Sequence, residues 1–182
     1  MDKMRNRIVA LLALLALSVS AAMAAPAKSP NSAQDNFRLE NEIRKKLVMI
    51  PRYNVFDNLA FKVVGDTVTL YGQVVRPTTR KEAERRVAKI EGIDRVVNNI
   101  EVLPVSSFDD SIRIRTYRAV FRTSSLYRYA LGANPSIHII VNRGHVTLEG
   151  VVANKMDSQL AYMAASQVPG AFSVTNNLRI ER

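Results

Sequence analysis

The stretch Val68-Thr69-Leu70-Tyr71-Gly72-Gln73-Val74 decides the fold, because the chain contains it twice. The second copy, Val146-Thr147-Leu148-Glu149-Gly150-Val151-Val152, follows 78 residues later. Apolar and polar residues alternate in both copies, as they do in a half-buried β-strand. A glycine interrupts each apolar row at the same place. Glycine at the same place in both strands indicates a repeated structural requirement, either a β-bulge or a close approach by another element.

The duplication extends well beyond this strand. Apolar and asparagine positions on both sides match at the same spacing, with no insertion or deletion over residues 59–102. The matched pairs include Leu59 with Ile137, Ala83 with Ala161 and Asn98 with Asn176. An internal repeat of this length predicts two tandem domains of about 70 residues each. Domains this small bury limited cores, so we expect the two repeats to pack on each other or on a partner.

Each repeat is predicted to have the order helix, strand, strand, helix, strand. In the first repeat, Leu39, Ile43 and Leu47 recur at helical spacing, and two alternating strands flank a turn at Gly65-Asp66. A second helix ends at Gly92 before the third strand. Because a helix between two strands of one sheet favours a crossover, the sheet is expected to be mixed. The predicted class is α/β, with an α+β sandwich of two helices on a three-stranded sheet in each domain.

Composition divides the chain into five predicted segments. The first residues are basic, an apolar run follows from Ile8 to Val19, and small residues lead to Ala24, which is the order of a cleaved secretory signal peptide. A stretch rich in Pro, Ser and Asn predicts a flexible tether, with Asp35 capping the next helix. The predicted segments are 1–24 (signal peptide), 25–36 (tether), 37–104 (first domain), 105–110 (linker) and 111–182 (second domain). Asp109 and Asp110 are predicted to cap the helix that follows the linker.

Composition also excludes several chemistries. The chain has no cysteine, which rules out disulfides, thiol catalysis and thiolate metal sites. Its net charge is +10, and about +8 remains without the predicted signal peptide. The expected partners of a basic exported protein are anionic lipid, acidic glycans or acidic proteins, whereas nucleic acid is a poor candidate. No catalytic motif or phosphate-binding loop occurs, and His138 is predicted to point outward from its strand. We therefore predict no enzymatic activity, cofactor, metal or small-molecule substrate.

Two motifs in each repeat resemble the BON domain, a family named for bacterial osmotically inducible and nodulation proteins. The first copy reads V-x-G-D-T-V-T-L-Y-G-Q-V and then E-G-I-D-R-V-V-N-N-I-E-V. The second reads V-N-R-G-H-V-T-L-E-G-V-V and then P-G-A-F-S-V-T-N-N-L-R-I, where Ala171-Phe172 replaces a more usual Val-Arg-like step. The resemblance covers nearly all of the mature chain and assigns residues 37–104 and 111–182 to two tandem BON domains.

The resemblance implies a periplasmic or outer-membrane location in a Gram-negative bacterium. It also implies binding to phospholipid membranes, a role in envelope integrity or osmotic protection, and no enzymatic activity. Some relatives with two BON domains are lipoproteins. The absence of cysteine departs from them, so the chain resembles the soluble relatives more, which argues against stable membrane attachment.

The basic segment from Arg113 to Arg128 is the candidate binding surface. Three of its arginines stand at spacings of three and four residues and share one face of a predicted helix. Arginine beside tyrosine suits an anionic phospholipid surface, because the guanidinium binds a phosphate and the tyrosine ring lies at the level of the headgroups. The same pattern also fits an ordinary solvated helix face. The candidate residues are Arg115, Arg118, Arg122, Arg128, Tyr117 and Tyr127.

Two functions stay open from the sequence. One is peripheral association with anionic phospholipid, and the other is a periplasmic protein-interaction or chaperone-like stress module without lipid binding. The basic face of residues 80–89 contains glutamates and predicts helical ion pairs. The doublets Asn98-Asn99 and Asn176-Asn177 are predicted to bond to backbone. The sequence leaves the oligomeric state open.

Overall fold

The computed structural model describes residues 31–132 and 134–181, which form two repeats of one topology. The first repeat consists of α1 (Asn31–Val48), β1 (Asn58–Val64), β2 (Thr67–Val74), α2 (Pro77–Val87), β3 (Arg95–Asn98) and β4 (Glu101–Val102). The second consists of α3 (Ser107–Arg122), a 3-10 helix (Tyr127–Ala130), β5 (Ile137–Asn142), β6 (His145–Val152), α4 (Lys155–Ser166), β7 (Ser173–Asn176) and β8 (Arg179–Ile180). The predicted signal peptide, residues 1–24, lies outside the described residues.

Each repeat builds a small mixed sheet, as the crossover argument predicts. Strand β1 pairs antiparallel with β2, and both β3 and β4 pair parallel with β2. Strands β5 to β8 repeat this arrangement around β6. The third strand of each sheet is therefore interrupted, at residues 99–100 in the first repeat and 177–178 in the second.

Asparagine side chains hold this interruption in the same way twice. The Asn98 Nδ2 atom donates to the Arg80 carbonyl at 3.2 Å, and its Oδ1 accepts from the Ile100 amide at 3.2 Å. Asn176 makes the matching bonds with the Ser158 carbonyl and the Leu178 amide, both at 3.2 Å. The prediction that the doublets bond to backbone is confirmed for the first asparagine of each.

The two strand glycines mark a close approach by the neighbouring backbone, which is one of the two alternatives that the sequence left open. Gly72 has φ 111° and Gly150 has φ 120°, a region that side chains with a Cβ rarely adopt. A Cβ at Gly72 would lie 2.0 Å from the Asn58 carbonyl oxygen, and one at Gly150 would lie 2.0 Å from that of Ser136. Only glycine therefore lets the neighbouring backbone pass at this point of each sheet.

Two apolar cores form, but the second is not built by the second repeat alone. The first core packs α1 and α2 on residues such as Val68 and Leu70 of β2. The second includes Val55, which belongs to the loop between α1 and β1 of the first repeat. The Ile139 amide also donates to the Val55 carbonyl at 2.7 Å. The repeats thus pack on each other as expected, with this loop as the connection.

One backbone amide at the end of each hairpin receives a different partner in each repeat. In the first repeat, the buried Asp57 Oδ1 accepts from the Val75 amide at 2.7 Å. The matching amide of Ala153 donates to the Tyr129 hydroxyl at 2.9 Å. Each arrangement gives the backbone amide a hydrogen-bond acceptor, because an amide removed from water without one would destabilise the fold.

The ends of the first helix of each repeat differ from the predictions. Helix α1 begins at Asn31, so residues 31–36 of the predicted tether are helical and Asp35 lies inside the helix. Helix α3 begins at Ser107, within the predicted linker, because the Ser106 Oγ caps it by accepting from the Asp109 amide at 3.1 Å. The buried Asp109 carboxylate instead accepts from the amides of Arg143 and Gly144 at 3.0 and 2.8 Å and fixes the β5–β6 turn.

Across the described residues, every helix is too short or too polar to span a lipid bilayer.

Candidate functional site

Three of the predicted arginines line a shallow depression between α3 and the end of α4. Buried Ile112, Thr116 and Val120 fix the inner side of α3, which turns the arginines outward along the facing edge of α4. The depression has a volume of about 520 Å³. We call it the arginine groove, and it is lined by Arg115, Arg118, Ala119, Arg122, Thr123, Ala164, Gln167, Val168 and Pro169.

The arginine groove carries uncompensated positive charge. Its lining contains no carboxylate. Within residues 31–132 and 134–181, none of its three guanidinium groups forms an ion pair. An exposed, unpaired guanidinium retains all of its hydrogen-bond donors for an anionic partner.

Two arginines on α2, in contrast, share one carboxylate of their own helix. Glu82 accepts from Arg86 Nε at 2.7 Å and from Arg85, and these hydrogen bonds lower the pKa of the Glu82 carboxyl. The predicted helical ion pairs are therefore confirmed at these residues. Two cations of α2 thus have a carboxylate partner on their own helix, whereas the three arginines of the groove have none among the described residues.

Arg128 lies apart from the arginine groove. Its guanidinium sits 4.9 Å from the Tyr129 ring centroid and donates to the Tyr129 hydroxyl at 2.9 Å and to the Asp157 carboxylate. The Tyr129 hydroxyl also donates to Asp157 at 2.6 Å, and this bond, followed by the Arg128 contact, lowers the pKa of the Asp157 carboxyl. Arg128 thus ties the 3-10 helix to the start of α4.

The two predicted tyrosines also stand outside the lining of the arginine groove. The Tyr117 ring packs 4.9 Å from Phe121 and 6.3 Å from Phe56, so it belongs to the contact between the repeats. Tyr127 is exposed on the 3-10 helix. Arg113, which the sequence places beside the candidate residues, is buried and donates to the Val141 carbonyl at 2.7 Å.

His138 was predicted to point outward from its strand, but a residue of the first repeat covers its ring. It alternates with buried Ile137 and Ile139, as an outward residue does, but Tyr53 of the first repeat covers it with ring centroids 5.6 Å apart. Burial lowers the pKa of the His138 imidazole and raises the pKa of the Tyr53 hydroxyl to about 12. In the described part of the chain, no three His, Cys, Asp or Glu side chains gather where they could hold a metal ion.

Sequence reasoning missed an exposed aromatic pair beside the arginine groove. Phe108 is 45% exposed and Phe172 is 69% exposed, and their ring centroids lie 5.8 Å apart. The signal was visible at Ala171-Phe172, where the second copy departs from its family motif. The companion residue, Phe108, falls in the predicted linker, where no periodicity identifies it.

Comparisons with known proteins agree with the repeated topology. The family model of the BON domain matches residues 35–104 and 125–182, so α3 and its arginines lie between the two matched segments. No curated protein matches the chain.

Two solved structures of CdsD, a structural protein of the type III secretion system of Chlamydia trachomatis, are similar at 11% identity. The first, of the C-terminal domain, has a TM-score of 0.28, and 79% of this chain and 98% of that chain are covered. The second has a TM-score of 0.29, with coverage of 79% and 92%.

Proposed function

This chain belongs to the BON domain family, and we propose that it is an exported protein that associates peripherally with anionic phospholipid membranes. BON domains are binding modules without catalytic activity, so the proposed function is non-enzymatic. The proposed location is the periplasm, which the chain reaches through its predicted signal peptide. The proposed role is support of envelope integrity or protection during osmotic stress.

The arginine groove is the observation that carries this proposal. Its guanidinium groups are exposed, unpaired and grouped on one side of α3. A guanidinium can donate two parallel hydrogen bonds to a phosphate, which is the shared feature of phospholipid headgroups. Each basic residue held at an anionic membrane contributes about 1 kcal/mol. Three such residues give weak, reversible and salt-sensitive binding, as expected of a peripheral protein.

Vesicle co-sedimentation tests the proposal. The mature protein is expected to bind vesicles containing phosphatidylglycerol, to release them as salt is raised, and to ignore vesicles of phosphatidylcholine alone. Charge reversal of Arg115, Arg118 and Arg122 to glutamate should abolish binding. The matched control reverses Arg80 and Lys81 on α2 and Lys89, two residues beyond the end of α2. It changes the net charge equally and should leave most of the binding. Equal loss in both variants would contradict a specific role for the arginine groove.

A periplasmic protein-interaction or chaperone-like module is the second candidate function. It is supported by Val64 and Tyr71, which are 64% and 40% exposed on the face of the first sheet that the helices leave open. Apolar side chains on an open sheet face suit contact with another protein. Retention of envelope proteins at high salt, together with no binding to anionic vesicles, would favour this function.

A further inference from the structure

Phe172 is held in an exposed position by its neighbours. Its amide donates to the Gly144 carbonyl at 2.8 Å, and its ring lies so close to Gly144 that a Cβ there would be 2.7 Å from Phe172 Cδ2. The His145 ring meets it edge-on at 5.9 Å, and Phe108 packs on it. A fixed aromatic ring that still faces water gives up little conformational freedom when a partner covers it.

The fold does not require phenylalanine at this position. Asp94 occupies the matching site of the first repeat, where its amide donates to the Asp66 carbonyl at 3.0 Å, just as Phe172 donates to Gly144. The same backbone arrangement therefore carries a charged, exposed side chain in one repeat and an aromatic one in the other. Adjacent exposed apolar side chains often mark an interaction site, so this pair is a candidate for a role in binding.

The aromatic pair adjoins the arginine groove. A Cβ at Gly170 would lie 3.3 Å from Arg115 Nη2 and 3.6 Å from Phe108 Cε2, so both side chains meet at this glycine. Gly170 follows Pro169, which lines the arginine groove. Arg143 in the β5–β6 turn is exposed and directly precedes Gly144, which the Phe172 ring approaches. The apolar rings thus lie beside a basic side chain of the arginine groove.

We infer that Phe108 and Phe172 form an apolar anchor that enters the boundary between headgroups and acyl chains of an anionic bilayer. The inference rests on the proposed function, because the arginine groove brings this surface to the membrane. Exposed aromatic rings beside basic residues complement a layer of phosphates above hydrocarbon, and amphipathic surfaces of this kind lie at that depth. Each ring is expected to strengthen binding about tenfold by removing apolar area from water.

Tryptophan fluorescence tests the depth of the anchor directly. The chain contains no tryptophan, so F172W provides a single reporter. F37W on α1 is the matched control, because Phe37 is 68% exposed and lies in the other repeat. With vesicles of equal parts dioleoylphosphatidylglycerol and dioleoylphosphatidylcholine, F172W emission should shift to shorter wavelength. Brominated acyl chains should quench it, and F37W should respond to neither.

The outcomes separate this inference from the proposed function. F108A and F172A should each weaken vesicle binding about tenfold with unchanged circular dichroism, because both rings are exposed. Vesicle binding with equal responses from F172W and F37W would overturn the anchor and leave the arginine groove as the contact. Absence of vesicle binding by the unaltered protein would overturn both. If the emission of F172W shifted on addition of a periplasmic protein extract that contains no vesicles, but not on addition of vesicles, the pair would contact a protein partner. That result would overturn the lipid anchor.

Discussion

The carbonyl oxygen of Val55 accepts a hydrogen bond of 2.7 Å from the amide of Ile139, which attaches a loop of the first repeat to an edge strand of the second. The Val55 side chain enters the second core, where it is 7% exposed. The loop covers part of a strand edge that would otherwise offer unpaired amides to other chains. We therefore expect the stabilities of the two repeats to be coupled, although each repeat has its own sheet.

Substitution of Val55 tests this coupling. V55A removes two methyl groups from the second core and should lower the free energy of unfolding by about 2 kcal/mol. Urea denaturation followed by circular dichroism measures the change. V64A is the control, because Val64 is largely exposed and its truncation should cost little. Equal stability of the two variants would contradict the coupling.

The strand glycines should tolerate no side chain. G72A and G150A each place a methyl group 2.0 Å from a carbonyl oxygen at positive φ, and each should cost about 3 kcal/mol or more. G65A is the comparison, since it also has positive φ but no atom within 4 Å of the added carbon, and should cost about 1 kcal/mol. Thermal unfolding of the three variants would reveal the difference. Similar melting temperatures would show that the close approach is not the cause.

Loss of the Tyr129 hydroxyl should destabilise the second repeat in a pH-dependent way. Y129F leaves the Ala153 amide without its partner and should cost about 1–3 kcal/mol near neutral pH. The hydroxyl also lowers the pKa of the Asp157 carboxyl below its ordinary value of 3.8. The stability that this provides is complete above about pH 3.8 and is lost as pH falls through the folded-state pKa. The gap between Y129F and the unaltered protein should therefore narrow in acid. Urea denaturation at about pH 7 and about pH 3 measures it, with Y162F on the exposed side of α4 as the control.

His138 should make the contact between the repeats sensitive to mild acid. Burial lowers the pKa of its imidazole below 6.5, so the unfolded chain takes up a proton more readily than the folded one. Stability should fall as pH decreases below 6.5, until the folded-state pKa is reached. H138F keeps an aromatic ring against Tyr53 and should remove this loss, whereas H145F, at an exposed site, should retain it. Urea denaturation midpoints measured between about pH 7 and about pH 5 test this prediction. If H138F lost as much stability in acid as the unaltered protein, His138 would not be the cause.

The sequence predicted the repeated features and missed the contacts that join or distinguish the repeats. Alternation around Gly72 and its copy identified the central strands, because one buried sheet face imposes a period of two. Val55 could not be assigned to the second core, since a lone apolar residue in a loop has no period to indicate its partner. The arginines of α3 share a face because helical spacing requires it. Whether an arginine such as Arg113 is buried or exposed depends instead on strands distant in the sequence.

The hairpin amides of Val75 and Ala153 show how far the two copies have diverged. One is satisfied by a carboxylate from before β1 and the other by a phenol hydroxyl from the 3-10 helix. A consensus repeat averaged from the two halves would not keep both hydrogen-bond acceptors, Asp57 and Tyr129. A protein with one half duplicated would lose either Val55 or the core that Val55 enters. After duplication, the halves became specialised parts of one molecule and ceased to be interchangeable.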